Sequence, residues 1–75
     1  MTADDYIGRV REEKVQLDDK IARLRAFMGS ERRFSPLPLD EQLRLEEQLH
    51  HMTCYSDVLR RRLDAVDDFP TGAHR

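Results

Sequence analysis

The sequence has one cysteine, Cys54, and no tryptophan in its 75 residues. A single cysteine excludes an intrachain disulfide, and there is no Cys-x-x-Cys spacing typical of zinc sites. We interpret Cys54 as a small apolar helix residue, and we expect neither a metal nor a cofactor. Because so short a chain builds only a small core, we expect association into a homo-oligomer to stabilise it.

Long apolar runs and a strong net charge are also absent. No run approaches the roughly 18 apolar residues that span a membrane, and the N-terminal MTADDY is acidic where a signal peptide is basic. The 13 Lys and Arg nearly balance the 15 Asp and Glu, which argues against a general coat for DNA or RNA. We therefore expect a cytoplasmic protein that binds no nucleic-acid polymer and no membrane.

Catalytic motifs are missing as well. There is no glycine-rich phosphate loop and no nucleotide-binding fingerprint. Ser56, Cys54 and two histidines fall on one predicted helix, but they form no recognisable set of nucleophile, base and orienting group. The sequence predicts a protein that is not an enzyme.

What the sequence does contain is a regular apolar seam from Ala3 to Met28. Its members alternate in steps of four and three, which is typical of one face of an α-helix that packs on another helix: Ala3, Ile7, Val10, Lys14, Leu17, Ile21, Leu24 and Met28. Lys14 is the one member that is not apolar. We predict a helix over about 3–28 that stops at Gly29 in the left-handed conformation.

A second seam follows a connector at 29–37. Two prolines and two serines predict that most of residues 30–38, SERRFSPLP, is not helical. Phe34 and Leu37 are expected to cover the open end of the helix pair. Pro38 is expected to be the first residue of a helix over about 38–68. Its seam is Leu45, Leu49, Met52, Ser56, Leu59, Leu63 and Val66, again with one polar member, Ser56. We predict that residues 70–75 form a disordered tail.

Two long helices and a short connector predict an all-α fold, an antiparallel two-helix hairpin over residues 1–69. Folding the chain at the connector places Lys14 at the level of Met52–Ser56. Several apolar residues remain outside the seams and do not all fit between two helices, so other copies should cover them in a compact helical homo-oligomer: Val15, Phe27, Leu43, Tyr55 and Val58.

Two residues in the first helix have more than one interpretation. Lys14 could fix the register or the oligomeric state of the helices, extend to the edge of the interface, or meet an anion in a cleft between protomers. Gly8 costs roughly 1 kcal/mol relative to alanine inside a helix. It either reflects a tolerant helix end or permits close approach of another helix or a ligand.

The hairpin should also bring Tyr6, Arg9 and Arg11 towards Arg60–Arg62. A flat ring with guanidinium groups suits a stacked base and a phosphate. The residues alone favour a simpler interpretation, in which the arginines form surface ion pairs and Tyr6 lies at an oligomer contact.

A family resemblance changes this balance. Over residues 5–63 the chain resembles small phage-encoded helical hairpin proteins, among them the cyclic-oligonucleotide sponge that counters CBASS immunity. Their hairpin domain is shared with a sponge that counters Thoeris immunity. The likeness rests on Tyr6-Ile7, Arg9-Val10, Glu13-Lys14, Leu17, Lys20-Ile21, Leu24, Phe27, Glu41-Gln42, Gln48-Leu49, Met52, Tyr55-Ser56 and Val58-Leu59.

The resemblance implies a protein of the infected bacterial cytoplasm that binds cyclic dinucleotides, and in some members cyclic trinucleotides, without cleaving them. It also implies an oligomer, a hexamer in the anti-CBASS case, with ligands between protomers. Tyr6 would stack on a base. Lys20 would be the leading phosphate contact, followed by Lys14 and Arg9, and Arg61 would belong to a second site. The two internal prolines and the Arg60–Arg62 run depart from the family pattern.

Two other functions are compatible with the residues. A structural or adaptor hairpin that acts through a protein partner would have the same seams, unpacked apolar residues and balanced charge. A helical regulator of a nucleic-acid process is a further alternative, against which the net charge of −2 argues.

Overall fold

The fold consists of two long antiparallel helices joined by a short helical turn. The computed structural model describes residues 3–68, with side chains for 5–66. Helix α1 spans Ala3–Met28, α2 spans Glu31–Phe34, and α3 spans Leu39–Asp64, which a 3-10 helix at Ala65–Asp68 follows. Helices α1 and α3 pack against each other. The predicted all-α class is confirmed, whereas the predicted tail lies outside the described residues.

Helix α1 covers the whole of the first seam, but its end differs from the prediction. Gly29 does not adopt a positive φ. Its backbone N–H donates to the carbonyl of Arg25 at 2.9 Å, and that of Ser30 donates to Phe27 at 3.1 Å. The left-handed conformation predicted for Gly29 is therefore wrong, because ordinary right-handed turns close the helix and lead into α2.

The connector is more helical than its composition predicts. Ser30 has an extended backbone, and its carbonyl accepts the N–H of Phe34 at 2.8 Å, which starts the single turn of α2. Both prolines come after this turn, so they do not oppose it. Pro38 is also misassigned by one position: its ψ of 147° is not helical, and it precedes α3 rather than beginning it.

One side chain of α3 holds the connector in place. The Gln42 amide nitrogen lies 2.9 Å from the carbonyl oxygen of Leu37 and 3.2–3.3 Å from those of Ser35 and Phe34. The Phe34 carbonyl also accepts the backbone N–H of Leu37 at 3.0 Å. Gln42 thus ties the connector to the first turn of α3.

The end of α3 also differs from the predicted helix over about 38–68. The α-helix stops at Asp64, and residues 65–68 continue as a 3-10 helix. Tightening of this kind is common at helix ends.

The core is a thin layer between the seams. Among the described side chains, the buried apolar ones are Ile7, Val10, Ile21 and Leu59, and Leu59 is fully buried. Of the five apolar residues outside the seams, four are exposed in the single hairpin as expected: Val15, Leu43, Tyr55 and Val58. Phe27 is instead half-buried near the end of α1, and α2 packs against α1.

Candidate functional site

The two polar residues of the seams meet across the hairpin. The Lys14 ammonium donates to Ser56 Oγ at 3.0 Å, and Ser56 Oγ donates to Asp18 Oδ1 at 2.5 Å. Lys14 also lies 2.8 Å from Asp18 Oδ2, one turn along α1. The predicted level of Lys14 is confirmed. The three side chains form a closed ring of hydrogen bonds, which we call the polar cluster.

Charge and hydrogen bonding explain how Asp18 stays ionised in this cluster. The hydrogen bond from Lys14, then that from Ser56, lowers the pKa of Asp18 below its usual value of 3.8. Asp18 is not among the site residues that the sequence singles out. Its spacing of four from Lys14, on the edge of the seam, is the signal that could have revealed it.

The polar cluster forms part of an open cleft of about 350 Å³ between α1 and α3. The cleft is lined by Lys14, Asp18, Ile21, Ala22, Arg25, Thr53, Ser56, Asp57 and Arg60. Three cations and two carboxylates share this lining, so its charge is nearly balanced. Because Lys14 is already paired in the cluster, its contacts favour the interpretation that it fixes the register of the helices.

Near the start of α1, Tyr6 contacts Arg62 of α3. The Arg62 guanidinium donates a hydrogen bond to the Tyr6 hydroxyl, and its central carbon lies 5.3 Å from the ring centroid. The two contacts together place Arg62 over the ring towards its hydroxyl end, within the roughly 6 Å of a cation–π contact. Tyr6 is 37% exposed, and the arrangement leaves ring surface accessible.

The other two arginines of the run are engaged along α3. Arg60 lies 2.8 Å from Asp57 and 2.7 Å from Asp64, and Arg61 lies 3.1 Å from Asp57. The hydrogen bond from Arg60 is the main cause that lowers the pKa of Asp57. The predicted approach of the run to the start of α1 is therefore realised by Arg62, in its contact with Tyr6.

Arg9 and Lys20 lie on different parts of α1. Arg9 borders a shallow depression that it shares with three carboxylates and Gly8: Asp5, Glu12 and Glu13. Lys20 is exposed and makes no hydrogen bond or ion pair with another described residue. Tyr6, Glu13, Lys20 and Phe27 recur every seven residues, so Lys20 shares a helix face with Tyr6.

Cys54 and the neighbouring His50 and His51 are exposed on α3. Within residues 3–68, no group of three His, Cys, Asp or Glu side chains could hold a metal ion. Cys54 is exposed, with its sulfur 3.7 Å from the His50 Nε2. Over the same residues, no helix combines the length and apolar character needed to cross a membrane.

The fold and these contacts define a helical hairpin in which Tyr6 and Arg62 lie side by side at the start of α1. The chain matches the Sequestin family model over residues 4–65. It therefore belongs to the Sequestin family, the phage sponge proteins that counter CBASS and Thoeris immunity. No curated protein and no solved structure matches the chain.

Proposed function

We propose that this protein binds a cyclic di- or trinucleotide immune signal in the cytoplasm of the infected bacterium and sequesters it without cleavage. The observation that carries the proposal is the exposed ring of Tyr6 beside Arg62, in a chain of a family of sequestering proteins. Sequestering proteins lower the concentration of free signal by binding alone, so no catalytic set is required.

Stacking and charge supply the chemistry of binding. A base stacked on an aromatic side chain contributes roughly 1–3 kcal/mol. Phosphate oxygens accept charge-assisted hydrogen bonds from lysine and arginine. We assign Tyr6 to the base and Lys20 to a phosphate. Lys14 and Arg9 are weaker phosphate candidates, because Lys14 is paired in the polar cluster and Arg9 lies among carboxylates.

Arg61 belongs, in this proposal, to a separate site on α3. Its guanidinium already pairs with Asp57 at 3.1 Å, on a part of the helix that is exposed. An anionic ligand there would compete with that carboxylate, so the site should bind more weakly than one that contains an unpaired cation. Cyclic trinucleotides are the ligands that we assign to it.

The separation of Tyr6 and Lys20 requires more than one copy of the chain. Fourteen residues of α-helix span about 21 Å at 1.5 Å per residue. One small cyclic nucleotide does not bridge that distance along a single helix. A ligand that contacts both residues therefore lies between protomers, where two-fold symmetry also supplies each residue twice.

Exposed apolar surface supports such an oligomer, which we propose is a hexamer. Val15 is 68% exposed and Leu43 is 54% exposed, although a monomer gains nothing from leaving these side chains in water. Light scattering should give a mass well above the 8.9 kDa of one chain. A monomer that still binds ligand would contradict a pocket between protomers.

Calorimetry with a defined panel tests the function: cyclic di-AMP, cyclic di-GMP, cyclic GMP–AMP, cyclic tri-AMP and cyclic ADP-ribose. The bound compound is then released by heat and identified by mass spectrometry. Tight binding with intact recovery supports a sponge. Binding to none of the panel overturns the proposed function, and recovery of a hydrolysed product overturns sequestration without cleavage.

The exposed leucines of α3 favour one alternative, an adaptor that binds a protein partner. Leu39 and Leu43 lie one turn apart at the end of the hairpin, and both are exposed. In that case Leu39→Asp would abolish partner binding, and the panel would give no heat at all. Retained nucleotide binding by this variant, with an unchanged mass, argues against the adaptor.

A further inference from the structure

Of the arginines at 60–62, Arg62 donates a hydrogen bond to a described side chain of α1, that of Tyr6. Its neighbours Arg60 and Arg61 are held by Asp57 and Asp64 on their own helix. Arg62 makes no ion pair with a described carboxylate, and its guanidinium instead reaches the Tyr6 hydroxyl. It is half-buried in the last turn of α3, so its backbone is held by a regular helix.

Tyr6, by contrast, lies in the first turns of α1, where the backbone N–H groups of a helix lack internal partners and the end tends to fray. An exposed tyrosine there would sample several rotamers and lose that freedom when a base stacks on it. A side chain fixed in advance costs less to bind. The hydrogen bond from Arg62 joins Tyr6 to a residue 56 positions away.

We propose that Arg62 is a positioning residue that holds the Tyr6 ring in the orientation required for stacking. This inference rests on the proposed function of Tyr6. Arg62 donates to the tyrosine hydroxyl and lies over the ring, 5.3 Å from its centroid, and 37% of Tyr6 stays exposed for a base. Arg62 therefore increases affinity without itself contacting the base.

The first test needs no nucleotide. In NMR spectra of the full chain, Arg62→Ala should shift and broaden the ring resonances of Tyr6 but not those of Tyr55. Arg62→Lys retains a cationic donor and should restore part of the shift. Arg44→Ala is the matched control, because Arg44 pairs with Glu41 and Asp40 at the far end of α3. Unchanged Tyr6 resonances in Arg62→Ala overturn the proposal whatever the protein binds.

The second test is a double-mutant cycle measured by calorimetry with the cyclic dinucleotides of the panel. Arg62→Ala should weaken binding about tenfold, and Tyr6→Phe, which keeps the ring and loses the hydroxyl, should weaken it by a similar factor. The double variant should be no weaker than either single variant, because both changes break one interaction. Losses that multiply would show that Arg62 acts directly on the ligand and would overturn the positioning role.

The two readouts separate this inference from the proposed function. If the wild-type protein binds nothing in the panel, the function fails, and the NMR comparison still decides whether Arg62 orders Tyr6. If the protein binds but Arg62→Ala binds as well as wild type, the function stands and the positioning role fails.

Discussion

Lys14 on α1 donates a hydrogen bond to Ser56 on α3 at 3.0 Å, so the polar residues of the two apolar seams are partners. Asp18 completes the ring by accepting from both. A shift of one helix along the other by even one turn would separate these groups and place them against apolar side chains. The polar cluster therefore favours one alignment of the hairpin.

Ser56→Ala should lower the stability of the hairpin. The change removes the two hydrogen bonds of the polar cluster that cross between the helices and leaves Lys14 and Asp18 paired on α1. Each hydrogen bond contributes about 1 kcal/mol net, and for a domain of this size each kcal/mol corresponds to about 4–8 °C in Tm. Circular dichroism at one fixed protein concentration measures it. Ser35→Ala, in the exposed connector, is the control, and an equal loss there would contradict the role of the cluster.

Acid should weaken the same contact. The pKa of folded Asp18 lies below its ordinary 3.8 because it accepts hydrogen bonds from Lys14 and Ser56. As the pH falls, Asp18 therefore takes up a proton in the unfolded chain before it does so in the folded chain. The stabilisation from Asp18 is complete above that ordinary value and is lost as the pH falls through the folded pKa.

Thermal unfolding at pH 7 and pH 3 tests this dependence. Asp18→Asn should lose less Tm between the two pH values than the wild type. Asp19→Asn is the matched control, since Asp19 is the next residue and pairs only with Arg23 at the surface. A wild-type acid response in Asp18→Asn would contradict the assignment.

Leu59→Ala should be among the most damaging single changes in the core. The side chain is fully buried, and replacing a buried leucine by alanine typically costs about 2–5 kcal/mol. Denaturant unfolding followed by circular dichroism gives the value. Leu39→Ala makes the same chemical change at a side chain that is 69% exposed, and the core assignment is wrong if both variants lose equal stability.

Tyr6→Ala should weaken the affinity for whichever cyclic nucleotide of the panel the wild-type protein binds. The expected loss is roughly 5- to 150-fold, the range for one stacked base. Calorimetry measures the affinity, and light scattering checks that the mass is unchanged. Tyr55→Ala is the aromatic control, since Tyr55 is also an exposed tyrosine but lies on α3. Equal binding by wild type and Tyr6→Ala would remove Tyr6 from the site.

Lys20→Ala should weaken binding about tenfold and also reduce its dependence on salt. Salt screens the attraction between an exposed ammonium and a phosphate, so the wild-type affinity should fall as sodium chloride rises. Calorimetry at two salt concentrations measures both effects. Arg23→Ala, one turn further along α1 and paired with Asp19 at 2.8 Å, should keep the wild-type salt dependence. If the two variants behave alike, Lys20 is not a phosphate contact.

Much of the helical framework could be predicted from the spacing of apolar residues. The seams have the period of a helix face, so they locate α1 and most of α3 and align Lys14 with Ser56. The connector was predicted less well. Gly29, Pro38 and the turn of α2 depend on local hydrogen bonds to Ser30 and Gln42, which composition does not encode.

The candidate site divides in the same way. Residue type and family likeness single out five residues, whose roles remain predictions: Tyr6, Arg9, Lys14, Lys20 and Arg61. Sequence could not select Arg62 from three consecutive arginines, because all three carry the same group. The selection depends on which face of α3 each occupies, and on carboxylates four residues or fewer away that hold Arg60 and Arg61.

The sequence by itself determined two amphipathic helices, the turn between them and one polar interruption in each seam, because these follow from periodicity along the chain. Only the tertiary structure decided which polar groups meet. Lys14 contacts Ser56 and Asp18, and Arg62 contacts Tyr6, because the phase of each helix and the register of the hairpin bring distant residues within hydrogen-bond distance. A change of less than one helical turn in the register of the hairpin would break these hydrogen bonds.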